Sequence, residues 1–274
     1  MKKTATIILN RNLPAVTDKL YEQMRKNNGD LTDIFVVESG SHKENLSKYC
    51  TWWANWEESI EHGLRYPRGF NYAFFKLWEE KKFDDYDYFF LVCNDAEFED
   101  RPILQIMLDE MQANPRVGIL SPCSAEWGER KLIGENETKY FWYINHTAWL
   151  LRRDYINSIR EFDSPNFMNF LYDGENFRGY ESEIELVIKG YINDWAAAIT
   201  TKVRAEENKT HLITKADLIK TEPYEESALK SVIEGKKWMR RKYGFNSRWA
   251  MQMYAKFFYE KFFENYPELR KYKI

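Results

Sequence analysis

The chain has 274 residues, of which 44% are hydrophobic and 30% charged, and its net charge is −3. This composition is typical of a globular protein with one core and argues against two domains of equal size. No segment approaches the length of a membrane span, and three scattered cysteines without metal-ligand spacing suit a reducing compartment, so we expect a cytoplasmic protein.

The N-terminal residues predict a strand, a helix and a second strand, at residues 5–9, 16–26 and 33–37. Because the three follow within about forty residues, the strands should pair in parallel through a right-handed crossover. The turns behind them, residues 10–12 and 38–41, would then lie at one edge of the sheet. Open α/β sheets bind their ligands at that edge.

A third strand, predicted at residues 88–93, ends in Asn94, Asp95 and Glu97. Carboxylates at the carboxyl end of a buried strand are suited to a divalent cation, which commonly binds one or two protein carboxylates plus substrate phosphates. A solvated turn would contain the same residues. The motif alone therefore leaves both interpretations open.

The other segments continue an α/β alternation. After a turn at residues 68–71 we expect a helix at 72–82. Further along the chain we expect a helix at 102–113, strands at 117–122 and 141–151, a helix at 152–159, a helix that ends at Gly190, and a strand at 196–203. The acidic run at 205–226 predicts a boundary between a first domain, residues 1–215, and a helical extension, residues 216–274.

The extension is basic and aromatic. From Lys236 onward it has 11 Lys and Arg against 3 Glu, with aromatic residues between them. We favour a terminal helix that packs its aromatic face on the core, since helix amphipathicity usually reflects burial. Contact with an anionic membrane surface and a homodimer through this region stay open. The acidic remainder argues against nucleic acid as a partner.

Several short elements follow one another along the chain, namely the strand ends 9–12 and 36–41, Gly69 to Asn71, Asn94 to Glu97, residues 145–153, Phe162-Asp163, and Ser182 to Leu186. In this order they resemble the GT-A-fold, family 2 inverting glycosyltransferases, especially the rhamnosyltransferase-like bacterial members, over roughly residues 4–212. In the last element Glu183 and Glu185 stand where the family has Asp, and Ser182 replaces its leading Glu.

The resemblance implies a mostly parallel central sheet with flanking helices, and transfer of a sugar from a nucleotide diphosphate to a hydroxyl with inversion. It places the catalytic base at Glu183, or at Glu181 if the alignment slips by two residues. A base in the first turn of a helix would have its anionic form favoured by the helix dipole. Trp127 and Trp142 are candidates for stacking on an acceptor sugar.

The resemblance also implies a UDP- or dTDP-linked donor and Mn²⁺ or Mg²⁺, with Asp95, Glu97 and His211 as metal ligands. The acceptor would be a glycan or lipid-linked glycan of a surface polysaccharide, capsule or lipopolysaccharide. The protein itself would lie in the cytoplasm or at the inner face of the membrane. The implied nucleotide-sugar site consists of Asn10, Arg11, Glu38, Ser39, Gly40, Arg68, Asn71, Asn94 and Asp95.

Two other functions stay open. One is a catalytically silent GT-A-like module that binds carbohydrate or serves as a scaffold, which the departures at Ser182 and around Asp95 would allow. The other is a sugar-1-phosphate nucleotidyltransferase. This second enzyme class shares a related architecture, but it normally has a Gly-rich phosphate loop that residues 10–14 lack.

Overall fold

The structure, a computed structural model, describes residues 4–160 and 164–274. Phe162 and Asp163, which belong to one of the family-like elements, lie outside the described residues. The strands are β1 (Thr4–Asn10), β2 (Thr32–Glu38), β3 (Cys50–Trp53), β4 (Tyr88–Cys93), β5 (Ala96–Phe98), β6 (Val117–Cys123), β7 (Thr138–Tyr140), β8 (Ala148–Arg152) and β9 (Ala196–Glu207).

Helices flank these strands and form the C-terminal part of the chain. They are α1 (Pro14–Asn28), α2 (Glu57–His62), α3 (Arg65–Glu79), α4 (Ile103–Ala113), α5 (Arg130–Ile133), α6 (Arg153–Ile159), α7 (Ser182–Ile192), α8 (Lys209–Thr214), α9 (Ala216–Lys220), α10 (Tyr224–Tyr243) and α11 (Arg248–Asn265). Short 3₁₀ helices occur at Lys43–Asn45, Phe83–Asp85 and Pro267–Tyr272.

The strands form one mixed sheet in the order β3-β2-β1-β4-β8-β6-β9-β5, with β7 beside β9. As predicted, β1 pairs in parallel with β2, and β4 pairs in parallel on its other side. Asn10 lies opposite Glu38, and Leu9 opposite Cys93. The polar residues that follow β1, β2 and β4 therefore meet at one edge of the sheet.

Two predicted elements differ from the structure. The helix expected at 72–82 begins earlier, at Arg65, so the predicted turn at Gly69 is helical. A Cβ on Gly69 would lie 2.6 Å from Leu9 Cδ1, which means that this glycine lets α3 pack closely on β1. The strand expected at 141–151 is regular only from Ala148 onward. In the irregular segment before it, the Asn145 carbonyl accepts a hydrogen bond from the Trp149 indole at 2.7 Å.

The C-terminal helices pack on the rest of the protein. On α11, Tyr259, Phe262 and Phe263 are buried in the main core. A second apolar cluster joins α7 to α10 and α11 and contains Ile184, Ile188, Trp238, Met239, Met251 and Ala255. One face of α11 therefore packs as the favoured interpretation expects. Within the described ranges, no helix is both long and apolar enough to cross a membrane.

Candidate active site

A cavity of about 370 Å³ lies at the carboxyl ends of β1 and β4. Asn10, Asn94 and Asp95 line it from the strand ends. Lys220 and Tyr224 line it from α9 and α10. The cavity thus has the position expected of a ligand site in an open α/β sheet, and the C-terminal helices form one of its walls.

Hydrogen bonds fix the amides at the strand ends. Asn94 Nδ2 donates to Asn10 Oδ1 at 2.9 Å, and Asn10 Nδ2 donates to Glu38 Oε2 at 2.8 Å. Glu38 is fully buried behind the cavity lining and also accepts from Ser41 Oγ at 2.5 Å and from Ser47 N at 2.8 Å. Burial raises the pKa of this carboxyl group. In the described structure Glu38 therefore orients Asn10 and does not itself line the cavity.

Arg11 and Gly40 hold the turn behind β2 in place. The Arg11 guanidinium donates to the carbonyl oxygens of Ser39, Ser59, Ile60 and Glu61, and burial together with Arg65 lowers its pKa to about 10. Gly40 has φ +78°, and a Cβ there would lie 1.8 Å from the Ser59 carbonyl oxygen. Arg11 and Ser39 line the cavity, whereas Gly40 serves the close approach of two backbones.

Glu183 lies in the first turn of α7, next to a cavity residue. The hydroxyl of Tyr66, which lines the cavity, is 3.2 Å from Glu183 Oε2 and 2.6 Å from Ser182 Oγ. Burial, then the neighbouring Glu181, raises the Glu183 pKa from 4.5 to about 8. The helix dipole was expected to keep this group ionised, but the loss of solvation outweighs it.

Glu181 precedes α7 in a left-handed conformation, with φ 59°. Its Oε1 lies 3.3 Å from the Arg248 guanidinium, at the start of α11. Its Oε2 is buried and has no hydrogen-bond partner among the described residues. Burial raises the pKa of Glu181 also. Two carboxyl groups of raised pKa therefore lie together at the N-terminus of α7.

His146 forms part of the apolar wall next to Tyr66. The two rings stack with centroids 4.7 Å apart, and His146 Nε2 is 2.8 Å from the Tyr172 hydroxyl. Burial lowers the His146 pKa to about 4, so the ring is neutral at physiological pH. Sequence reasoning gave Tyr66 and Tyr172 no role, because only the tertiary fold brings residues this far apart in the chain together.

Three further cations line the cavity, namely Arg65, Arg178 and Lys220. Arg65 is 2.8 Å from Glu222 Oε1, and Arg178 pairs with the same carboxylate and with Glu234. The Lys220 ammonium lies 5.7 Å from the centroid of the Tyr224 ring and makes no salt bridge within residues 4–160 and 164–274. Burial, then Arg65, lowers its pKa. Lys220 is therefore a half-buried cation available to an anionic ligand.

Comparison with known proteins was informative only at the level of structure. No protein-family model and no curated protein matches the chain. GalNAc-T7 with UDP, GalNAc and Mn²⁺ superposes with a TM-score of 0.56 at 9% identity, over 76% of this chain and 44% of that one. The chain has the GT-A fold. S. aureus TarS superposes with a TM-score of 0.51 at 11% identity, over 90% of this chain and 44% of that one.

A shorter form of the same protein, S. aureus TarS 1-349, superposes with a TM-score of 0.50 at 12% identity and is covered to 65%. This chain thus spans less than half of GalNAc-T7 and of the longer TarS chain, 44% in each case. At identities this low the likeness concerns the fold alone. It does not select a rhamnosyltransferase-like subtype.

In this GT-A chain the three predicted metal ligands, Asp95, Glu97 and His211, all border a groove beside the cavity. Asp95 and His211 also line the cavity itself, together with Glu207. Burial, then Glu207, raises the Asp95 pKa to about 6. Glu97 is exposed and accepts from Asn208 Nδ2 at 2.7 Å.

The described residues contain no group of three or more His, Cys, Asp or Glu side chains that could hold a metal by themselves. Their donor chemistry nevertheless fits a hard divalent cation, because Asp95 and Glu207 offer oxygen and His211 offers nitrogen at the same cavity. Mg²⁺ and similar cations commonly take only one or two protein carboxylates and complete their coordination with water and substrate phosphates. The residues present fit a metal that binds together with a phosphorylated ligand.

Four further predicted residues, Arg68, Asn71, Trp127 and Trp142, also lie away from the cavity lining. Asn71 Oδ1 accepts from the backbone N–H groups of Leu171 and Tyr172, both at 2.9 Å, and its amide donates back to Tyr172. Arg68 donates to the Gly174 carbonyl at 2.8 Å. Both residues therefore hold the segment at 171–174. Trp127 and Trp142 are half-buried against the core, and Trp142 packs edge-on against Tyr259 at 5.3 Å.

Proposed function

We propose that the protein is a metal-dependent inverting glycosyltransferase that moves a sugar from a nucleotide diphosphate donor to a hydroxyl group of a glycan, for surface polysaccharide, capsule or lipopolysaccharide synthesis. The observation that carries the proposal is the mixture of charges in one cavity, where Asp95 and Glu207 face the same space as Lys220 and Arg65. A diphosphate bound next to a divalent cation needs both kinds of group.

In this proposal the donor lies along the carboxyl ends of β1 and β4. The Asn94 amide and the Ser39 hydroxyl are polar groups that would contact the nucleoside, and Asn10 would hold the Asn94 amide in place. UDP, which the GalNAc-T7 structure contains, is the first donor nucleotide to test, followed by dTDP. Lys220 and Arg65 would contact the diphosphate.

Mn²⁺ or Mg²⁺ would be held by Asp95, with Glu207 and His211 around the same space and Glu97 in the adjoining groove. When bound, such an ion supplies positive charge that stabilises the diphosphate as a leaving group. Lys220 and Arg65, which line the same cavity, would add to this stabilisation. The diphosphate would therefore be neutralised both by the ion and by the protein's own cations.

Glu183 would act as the general base, with Glu181 as the alternative. The acceptor oxygen bonds to the anomeric carbon from the face opposite the diphosphate, the bond from that carbon to the diphosphate oxygen breaks, and the acceptor proton passes to Glu183. A pKa of about 8 suits a base that works near neutral pH. Tyr66, which lines the cavity and donates to Glu183, would lie between this carboxylate and the bound donor.

A second candidate is a catalytically silent GT-A module that binds carbohydrate or serves as a scaffold. One observation favours it: the part of the chain that the structure describes contains no group of three His, Cys, Asp or Glu side chains that could hold a metal by themselves. Turnover separates the two candidates, because only an enzyme releases nucleotide from its donor.

The first experiment is thermal unfolding of the purified protein with UDP, dTDP, GDP and their sugars, each with Mn²⁺ or with a chelator. A ligand at a hundred times its Kd stabilises the folded state by about 2.7 kcal/mol, which raises the melting temperature by several degrees. We expect this rise for one nucleotide, and only with Mn²⁺. Asp95→Asn should abolish the metal-dependent part, whereas Asp109→Asn, an exposed substitution on α4, should not.

A rise that persists in chelator would exclude the metal from donor binding. The absence of any rise, together with no release of nucleotide, would favour the silent module. A rise in melting temperature without nucleotide release in the presence of glycan acceptors would also argue against catalysis. It would still support the donor site.

A further inference from the structure

The outer face of α11 exposes large apolar side chains. Trp249, Met253 and Phe257 follow one another at intervals of four residues, so they form a stripe along one side of the helix. They are 71%, 63% and 54% exposed, and Tyr254 beside them is 36% exposed. We call these four residues the outer face of α11.

Folding of the chain does not account for this face. The opposite side of the same helix already fills the core with Met251, Ala255, Tyr259 and Phe262. Single exposed apolar residues are ordinary, but a continuous stripe of large ones marks a contact surface. We therefore expect the outer face of α11 to contact a partner outside the chain.

The charge around the outer face indicates what that partner is. From Lys236 to the C-terminus there are 11 Lys and Arg against 3 Glu, and two of these Glu, Glu260 and Glu264 on α11, pair with Lys273 and Lys261, so the segment keeps an excess of cations. Lys261 lies on α11 itself with its ammonium 6.0 Å from the Phe257 ring centroid, and Lys256 lies 4.8 Å from the Trp142 ring. Aromatic side chains next to Lys and Arg are suited to the headgroup region of an anionic bilayer, where rings insert and cations meet phosphates.

A second copy of the chain fits this surface less well. A symmetric pair would bring two identical basic segments together, because each subunit contributes the same patch. The like charges would then repel at the edge of a small apolar contact. An anionic lipid surface offers opposite charge to the same residues.

We propose that the outer face of α11 docks the protein on an anionic lipid bilayer. Arg248, which immediately precedes Trp249, lies 3.3 Å from Glu181, two residues before Glu183. Docking would therefore place the bilayer beside the carboxylates at the start of α7. If the proposed transferase function holds, on which this one step rests, the acceptor is a lipid-linked glycan presented at the membrane surface.

The test measures binding of the whole protein to vesicles of phosphatidylglycerol and, separately, of phosphatidylcholine. We expect binding to the anionic vesicles that weakens in high salt, and little binding to the neutral ones. The double variant Trp249→Ser/Phe257→Ser should partition at least about tenfold less, because two large rings no longer leave water. Trp78→Ser is the matched control, since Trp78 is 45% exposed on α3, away from the basic segment.

Equal binding of the double variant and the wild type would overturn the proposal, as would no binding of the wild type to anionic vesicles. A concentration-dependent dimer that the double variant loses, without vesicle binding, would assign the face to a second copy. Quenching of wild-type tryptophan fluorescence by brominated lipids gives the same answer without a variant. The thermal unfolding experiment with nucleotide donors contains no lipid, so it tests the proposed transferase function independently of docking.

Discussion

Replacing Glu183 by Gln tests the proposed base and the physical state of the site together. Gln has nearly the same size and can still accept a hydrogen bond from Tyr66, which lies 3.2 Å from Glu183 Oε2. It cannot take up a proton from an acceptor. We therefore expect donor affinity to be retained and transfer to fall by about 10² to 10⁴, the range for loss of a general base.

The same substitution should change stability in a pH-dependent way. The folded protein holds the Glu183 proton up to about pH 8, whereas the group has an ordinary pKa of 4.5 when solvated. Between these values the folded state binds more protons than the unfolded state, so stability falls as pH rises. The stabilising effect of the proton is fully present below pH 4.5 and is lost as the pH passes through about 8.

The size of the effect follows from the two pKa values. Each pH unit between them corresponds to about 1.4 kcal/mol, so ionisation in the folded state costs about 5 kcal/mol relative to the unfolded chain. Glu183→Gln has no proton to lose at this position. At pH 9 it should therefore be more stable than the wild type by up to about 5 kcal/mol, and at pH 5 the two proteins should differ little.

Urea unfolding at pH 5 and pH 9, extrapolated to water, measures this difference. Glu57→Gln is a matched control, because Glu57 also lies in the first turn of a helix but is exposed. A stability gain of Glu183→Gln that is the same at both pH values would refute the reasoning. Transfer activity that does not rise between pH 6 and pH 8 would separately exclude Glu183 as the base.

Two other substitutions distinguish residues that bind the donor from residues that hold the fold. Lys220→Met should weaken nucleotide diphosphate binding about tenfold or more in titration calorimetry, since hydrogen bonds to charged groups contribute about 1.5 to 3 kcal/mol, without loss of stability. Lys215→Met, at an exposed position, should change neither, and an unchanged Kd for Lys220→Met would remove Lys220 from the donor site. Asn71→Ala leaves three buried backbone groups at Leu171 and Tyr172 unpaired, so it should cost about 3 kcal/mol of unfolding free energy and leave donor affinity unchanged. Asn193→Ala is the control and should cost little unfolding free energy, because the Asn193 amide donates its hydrogen bond at an exposed helix end. Weakened donor binding in folded Asn71→Ala would contradict a purely structural role.

The sheet edge could be predicted because its signals are local. The strands β1, β2 and β4 are continuous apolar runs that end in polar residues, and a short helix between the first two requires parallel pairing. Asn10, Asn94 and Asp95 could therefore be placed together before the structure was known. The residue types in these turns also indicated a cavity for a polar ligand.

Other parts of the site depend on contacts that are remote in sequence. Arg65 received no predicted role and the helix was expected only from residue 72, because Gly69 within α3 resembles a turn residue until its packing against Leu9 is known. Glu38 and Asn71 are of residue types that often contact ligands, but the side chain of each forms its hydrogen bonds with other residues of the protein. Sequence can name such polar residues, and only their partners decide between binding and support.

The C-terminal extension shows most clearly that sequence composition does not reveal which segments contribute to the site. Its composition separates residues 216–274 from the rest, yet Lys220 and Tyr224 line the same cavity as Asn10 and Asp95. Asn12 Nδ2 donates to the Leu218 carbonyl at 2.9 Å, and Arg65 donates to that of Lys220, so the strand ends and α9 are joined by direct hydrogen bonds. Because a cation in the wall of the cavity and a lipid-facing stripe on α11 belong to the same extension, donor binding and the proposed membrane docking would both depend on how these helices pack. This makes the packing of α10 and α11 on α7, through Ile184 and Ile188, the contact that links the two proposals.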